Sequence, residues 1–407
     1  MNRRVVITGV GMVTPLGVGK TAFMEHLFGG TCGIRPISLF DSSGFASKMA
    51  AEVLDFTARD YIRPASIRRM DRLSQMITAA ARMALDDAAL TIGPHNRDKV
   101  GVMLGTCFGG TDVAAQFGKV LFNEGPRRVN PILVPNTVMN APAGHVAIEL
   151  GVRGINTTVN HHEVGAETAL TYAAAQIMRG RVDAVLTGGG DILSEFFFNV
   201  LSHFKTLSPQ NGDAEGLLPF DVHGNGTVVG EGAGTVCLES LEGALARGAI
   251  PYCEIVGWGL SSAPTVPTGW PTEPTGPCLA MTRALAAAAI APGDIDYVCA
   301  SANGNPHLDR LEADALQQIF SISDEGPRIT ALKGALGENL SSGGMRTAAM
   351  ALSLRHQSIA PVIGLHEPIA ALNFVRAPEG LASIRYGLIN GISSGGTFVA
   401  VIFKKIE

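Results

Sequence analysis

The chain has 407 residues, 46% hydrophobic and only 16% charged, which suits a large core in two or three domains or in one two-halved fold, and is unlike a disordered chain. A formal net charge of -5 with no basic stripe gives no general attraction to nucleic acid. No run of about 18 uninterrupted apolar residues marks a membrane span, and the scattered cysteines (Cys32, Cys107, Cys237, Cys253, Cys278, Cys299) suit a reducing cytoplasm better than a disulfide framework or zinc ribbon.

At the start, Met1-Asn-Arg-Arg4 ahead of Val5–Thr8 imitates a signal peptide. Gly9, Gly11 and Pro15 interrupt the apolar run, so a short buried strand and a turn are predicted instead. Gly17-Val-Gly-Lys-Thr21 imitates a phosphate loop, but a true one needs glycine where Thr14 stands. A helix is predicted over Ala65–Ala88 and a strand over Val100–Gly105. From Asn156 the chain reads as a strand, a tight turn, a helix over Ala166–Arg179 and a strand over Asp183–Thr187. His162-Glu163 begins like a zinc-protease helix, but Ala166 stands where the second histidine belongs, and no metal or cofactor site is predicted. Strands over Gly234–Leu238 and Tyr252–Val256 follow. Ser261 to Gly276, with four prolines, reads as a loop. Then come a helix over Pro277–Ala291, a strand over Tyr297–Ala300, a helix over Asp309–Ile319, and strands over Arg328–Ala331 and Phe398–Phe403. The alternation predicts an α/β fold with sheets buried on both faces, divided at about residue 250 into 1–250 and 251–407.

Asn156 to Gly190 carries a more specific signal. Its layout, ending on Val182-Asp-Ala-Val-Leu-Thr-Gly-Gly-Gly190, resembles the nucleophile segment of the β-ketoacyl synthases, the condensing enzymes of fatty-acid and polyketide assembly. Arg4-Val-Val-Ile-Thr-Gly-Val-Gly-Met-Val-Thr-Pro-Leu-Gly17 is similar to that family's opening. Pro219-Phe-Asp221 with Gly230-Glu-Gly-Ala-Gly234 resembles its midpoint signature, and Leu332-Lys-Gly-Ala-Leu-Gly-Glu338 and Gly395-Gly-Thr397 fall where its late motifs fall. Each match is weak alone; in this order and spacing they are specific, and they run from end to end. The resemblance implies a thiolase-like fold, two similar α/β halves in a five-layered α-β-α-β-α arrangement, working as a dimer.

In that family a cysteine thiolate on a helix N-terminus carries the growing chain, and two histidines stabilise the enolate and oxyanion. Counting back from Gly188-Gly189 puts Glu163 in the cysteine's place. Ser301 falls at the first histidine, and Glu338, five residues after a retained Lys333, at the second. A carboxylate can neither act as a thiolate nor carry a usable thioester. Asn303 and Asn305 stand where the family has hydroxyl residues near the pantetheine arm, and Ser394 where it has a phenylalanine gate. Lys333, Asp309 and Glu312 persist as a charged set. Read without the family, Glu163 is equally well explained as a surface residue at a helix start. If the old pocket is still buried, Glu163 and Glu338 need partners, and Lys333 is the candidate. Cys107 reads as a core residue rather than a substitute nucleophile.

A condensing-enzyme homologue without its nucleophile looks like the chain-length factor of a bacterial type II polyketide synthase, which pairs with an active ketosynthase and shapes the polyketide tunnel. Two other readings stay open: a loading-type malonyl decarboxylase, and a carrier-protein-binding scaffold with no tunnel role. The expected partners are an intact ketosynthase, in a heterodimer, and an acyl carrier protein, with no nucleic acid or membrane. By resemblance Cys107–Ala143 lies at the dimer face. Phe108, Ile132 and Leu133 are tunnel or gate candidates, against a bland reading as core, and Arg68, Arg69 and Lys205 are carrier-docking candidates, against a reading as a solvated face.

Overall fold

The computed structural model describes residues 3–210, 214–320, 326–380 and 383–407. Its main strands are β1 (Val5–Thr14), β2 (Val100–Gly105), β3 (Asn156–Val159), β4 (Ala184–Asp191), β5 (Gly232–Ser240), β6 (Cys253–Ser262), β7 (Tyr297–Ala300), β8 (Arg328–Ala331), β9 (Tyr386–Ile392) and β10 (Thr397–Lys405). The helices that frame the site are α1 (Arg72–Asp87), α2 (Thr111–Glu124), α3 (Ala141–Leu150), α4 (Gly165–Met178), α5 (Glu195–His203), α6 (Thr275–Ala288), α7 (Pro306–Ile319) and α8 (Gly343–His356).

The strand order is β3-β2-β4-β5-β1 in one half and β8-β7-β9-β10-β6 in the other, the same arrangement displaced by five strands. Strand senses repeat too. The β3-β2-β4 and β8-β7-β9 pairings are parallel, and the remaining pairings in each half are antiparallel. Val5–Ile7 of β1 pair antiparallel with Cys253–Ile255 of β6, which joins the halves. Residue 250 falls in the link between β5 and β6. Helices α1 and α3 cover the outside of the first sheet, α6 with α7 the outside of the second, and α4 and α8 lie between them against strands of both. The result is the five-layered, thiolase-like α/β architecture.

A duplicated packing device explains two truncated strand predictions. Glycines end the predicted strands at Thr8 and Val256, yet β1 runs to Thr14 and β6 to Ser262. A Cβ on Gly11 would lie 2.0 Å from the Ala80 carbonyl oxygen of α1, and one on Gly259 2.1 Å from that of Ala280 in α6. Glycine here does not break the strand; it lets strand and helix backbones touch. The predicted helix Ala65–Ala88 is also corrected. A short turn of helix over Pro64–Ile67 ends, Asp71 adopts an extended backbone, and its side chain caps α1 by accepting from Ser74 N at 3.0 Å. Among the described residues, no helix is long and apolar enough to cross a membrane.

Candidate functional site

The residues singled out by position sit on the segments that follow the carboxyl ends of parallel strands, where open α/β folds build their sites. Glu163 follows β3, Ser301, Asn303 and Asn305 follow β7, Lys333 and Glu338 follow β8, and Ser394 follows β9. His162, at φ 46°, makes the tight turn that sets Glu163 just ahead of α4. Glu163 is half-buried. Its carboxylate accepts hydrogen bonds from Ser393 Oγ (2.9 Å), Ser394 N (3.1 Å) and Ser394 Oγ (2.9 Å).

Lys333 is not its partner. That ammonium donates to Glu338 Oε2 at 2.8 Å, and both side chains are buried. Asn303 Nδ2 reaches the same oxygen at 2.7 Å. The expectation that Lys333 would serve both carboxylates therefore holds for Glu338 and fails for Glu163, which is satisfied by hydroxyls and one amide. Ser301 Oγ donates to Asn390 O at 2.9 Å and accepts from Ile392 N at 3.0 Å, so its hydroxyl is used internally. Asn305 caps α7 through bonds from His307 N and Leu308 N. Ile392 and Ser393 are adjacent, so Ser301 and Glu163 are tied to consecutive residues of one loop.

Glu312 and Asp309 hold this framework. Glu312 accepts from Ser301 N at 2.8 Å and Asn390 Nδ2 at 2.7 Å; Asp309 accepts from Asn303 N, Gly304 N and Phe220 N. Burial pushes both carboxyls up, Asp309 to about 7, although those bonds favour the charged form.

Two buried residues were missed by sequence reasoning. Arg346, on α8, donates to Glu167 Oε1 of α4 at 2.7 Å, to Cys299 O at 2.7 Å and to Asn390 O. The pair bridges the two central helices and lies 3.5 Å from Ser301 Oγ. Burial pushes the Glu167 carboxyl up, and the Arg346 guanidinium pulls it back. A signal existed: Arg346 is the one ionisable residue in Gly343–Leu354, a run of small and apolar residues, and a buried charge needs a partner. Asp191, also missed, accepts from Thr106 Oγ1, Cys107 N and Phe108 N and fixes the turn after β2. Cys107 is no replacement nucleophile. Burial and the neighbouring carboxylates Asp191, Glu163 and Glu338 push its thiol pKa well up, so the thiol keeps its proton. Glu163, Ser301 and Glu338 present two carboxylates and a hydroxyl, none of them a thiol or an imidazole.

Of the other candidates, Phe108 and Leu133 are partly buried, and Ile132, Arg68, Arg69 and Lys205 are exposed. Phe108 packs on Phe197 with ring centroids 3.8 Å apart. Leu133 lines an open groove of about 1150 Å³ with Val113, Phe122, Ile192 and Phe196. Ile132 is 45% exposed and does not line that groove. Phe122, Val134, Val138 and Met139 are exposed too, and β3 is an edge strand of the sheet. Sheet edges and clustered exposed apolar side chains are the kinds of surface that proteins cover. Arg68, Arg69 and Lys205 are exposed, and among the described residues none has a carboxylate within ion-pair distance.

Paired α/β halves with a site at their strand ends define a protein of thiolase-like ketosynthase fold. The chain belongs to the β-ketoacyl synthase family: that family's N-terminal domain matches residues 2–244 and its C-terminal domain residues 252–366. It is 33% identical over 411 aligned residues to 3-oxoacyl-[acyl-carrier-protein] synthase 2 of Staphylococcus aureus (strain COL), covering 100% of this chain and 99% of that one. Among solved structures, it matches "The ishigamide ketosynthase/chain length factor" with a TM-score of 0.93 and 30% identity over 100% of each chain. A Beta-ketoacyl synthase from Burkholderia phymatum STM815 matches with a TM-score of 0.90 and 28% identity, also over 100% of each chain.

Proposed function

We propose that this chain is a chain-length factor: a non-catalytic subunit that pairs with an active ketosynthase in the cytoplasm and shapes the tunnel of a type II polyketide synthase. The observation that carries the reading is the chemistry of the three residues that resemblance aligns with the family's catalytic positions. Glu163, Ser301 and Glu338 are each hydrogen-bonded within the protein, and none of them is a thiol or an imidazole. The likeness to a ketosynthase/chain length factor over the full chain supports it. The loading-type alternative needs histidines that Ser301 and Glu338 have replaced.

In this reading the face around β3 and Cys107–Ala143 meets the ketosynthase, burying roughly 2,000–5,000 Å² as obligate pairs do. Phe108, Ile132 and Leu133 form the floor of the partner's tunnel. Arg68, Arg69 and Lys205 receive an acidic acyl carrier protein. Co-expression with an intact ketosynthase should yield a heterodimer on size exclusion that survives dilution. Reversing the charge of all three basic residues should weaken carrier binding to that complex by about tenfold at low salt and less at high salt, as screened charge pairs behave. A ketosynthase that elutes without this chain would refute the pairing, and unchanged affinity at low salt would refute the docking residues.

A further inference from the structure

The Glu163 carboxylate joins two loops that are remote in sequence, the turn after β3 and the connection between β9 and β10. Its bonds from Ser393 Oγ, Ser394 N and Ser394 Oγ are all between 2.9 and 3.1 Å. The far side of the same connection is tied to the segment that follows β6. Gly395 N donates to Gly269 O at 3.0 Å, and Ala263 N donates to Gly396 O at 2.9 Å. Gly395 and Gly396 take φ values of 79° and 81°, and a Cβ on Gly396 would lie 2.0 Å from the Ala263 carbonyl oxygen. The loop is thus folded back on itself and held from both sides.

We propose that Glu163 is a positioning residue: through Ser393 and Ser394 it clasps the 393–396 loop over the place of the lost nucleophile. The clasp closes this chain's own pocket to a carrier-bound acyl thioester, so that the thioester is delivered only to the partner's nucleophile. This rests on the non-catalytic reading above and assigns that reading a residue. Ser393 Oγ, Ser394 N and Ser394 Oγ surround the Glu163 carboxylate, with Ser393 Oγ also 2.8 Å from Ser394 O. Glutamine at 163 keeps the length and an acceptor oxygen; alanine keeps neither. Cys107 is a native reporter beside the clasp, since its thiol lies near enough to feel the Glu163 carboxylate. Its carbonyl accepts from Asn160 Nδ2 at 2.8 Å, its side chain packs with Leu340, and it is buried.

The test uses the full chain. Iodoacetamide labelling of Cys107 is followed by peptide mass mapping, alongside hydrogen exchange of peptides spanning 393–397. Wild type and Glu163→Gln should label slowly. The Ser393→Ala/Ser394→Ala double variant leaves the Glu163 charge in place, so any change reports the clasp and not the thiol's electrostatics. It should label Cys107 at least about tenfold faster and exchange faster at 393–397, as expected for a local opening, with Cys278 labelling unchanged. Wild-type rates in both the double variant and Glu163→Ala would overturn the proposal. So would a parallel rise at Cys278, which would report loosening of the whole fold. The non-catalytic reading fails separately, by an acyl adduct or a condensation product from the wild-type chain alone.

Discussion

Arg346→Leu is expected to lower the unfolding free energy by roughly 3–5 kcal/mol, the cost of leaving one member of a buried ion pair alone. Arg346 is 2% exposed, on a helix buried from Gly343 to Leu354. Its guanidinium serves Glu167 and the carbonyls of Cys299 and Asn390; all three lose that donor together, and of them Asn390 O keeps Ser301 Oγ. Glu167 cannot turn toward water. It is fully buried and packed so closely on α8 that a Cβ on Gly343 would lie 2.2 Å from Oε2. Adding Glu167→Gln should recover much of the loss, because the neutral amide removes the stranded charge. Urea unfolding of the two variants and wild type measures both effects. A loss below about 1 kcal/mol for Arg346→Leu would place it among ordinary substitutions and contradict the account.

Incubated with acyl-loaded carrier protein, the wild-type chain is expected to gain no acyl mass and to release no condensation product. Glu163→Cys should not restore condensation. The new thiol would stand in the nucleophile's place, but Ser301 and Glu338 offer no imidazole to the developing enolate and oxyanion. A positioned acid or base is worth roughly 10²–10⁴-fold, and an oxyanion donor about 10²–10³-fold. Arg346 adds a spatial objection, since its guanidinium lies 3.5 Å from Ser301 Oγ, against the first histidine's place. Intact-mass analysis and product detection settle the matter. A stoichiometric adduct on wild type, or turnover by Glu163→Cys near that of an intact ketosynthase, would contradict it.

Some of this was legible in the sequence. Strands β2, β7 and β8 were read at their observed bounds, because short apolar runs enclosed by turn residues have few other uses. Helix α8 was not read at all: buried on every side, it has no polar face and therefore no amphipathic period. The duplication was invisible to residue identity and plain in the strand order; the Gly9-x-Gly11 and Gly257-x-Gly259 pairs, each facing alanines of the next helix, were its local trace. The pairing of Lys333 with Glu338 followed from two charges five residues apart in one motif. The partner of Glu163 did not, because Ser393 and Ser394 lie about 230 residues away and hydroxyls announce no charge to match. Motif spacing singled out Glu163, Ser301 and Glu338; only the packed structure showed what satisfies them.

The central claim, that this chain sets the length of a polyketide made by its partner, is tested most directly by the product of the reconstituted heterodimer. Leu133 lines the groove beside Phe196, and Phe108 packs on Phe197; under the proposed function, side-chain volume at these positions sets how much space the tunnel wall leaves. Close-packed walls tolerate little overlap, and a two-carbon extension of the product needs space of its own. Mass spectrometry of the products should show shorter chains with Leu133→Phe or Ile132→Phe and longer chains with Phe108→Ala, at unchanged heterodimer yield. Unchanged product length in all three variants, with the complex intact, would contradict it.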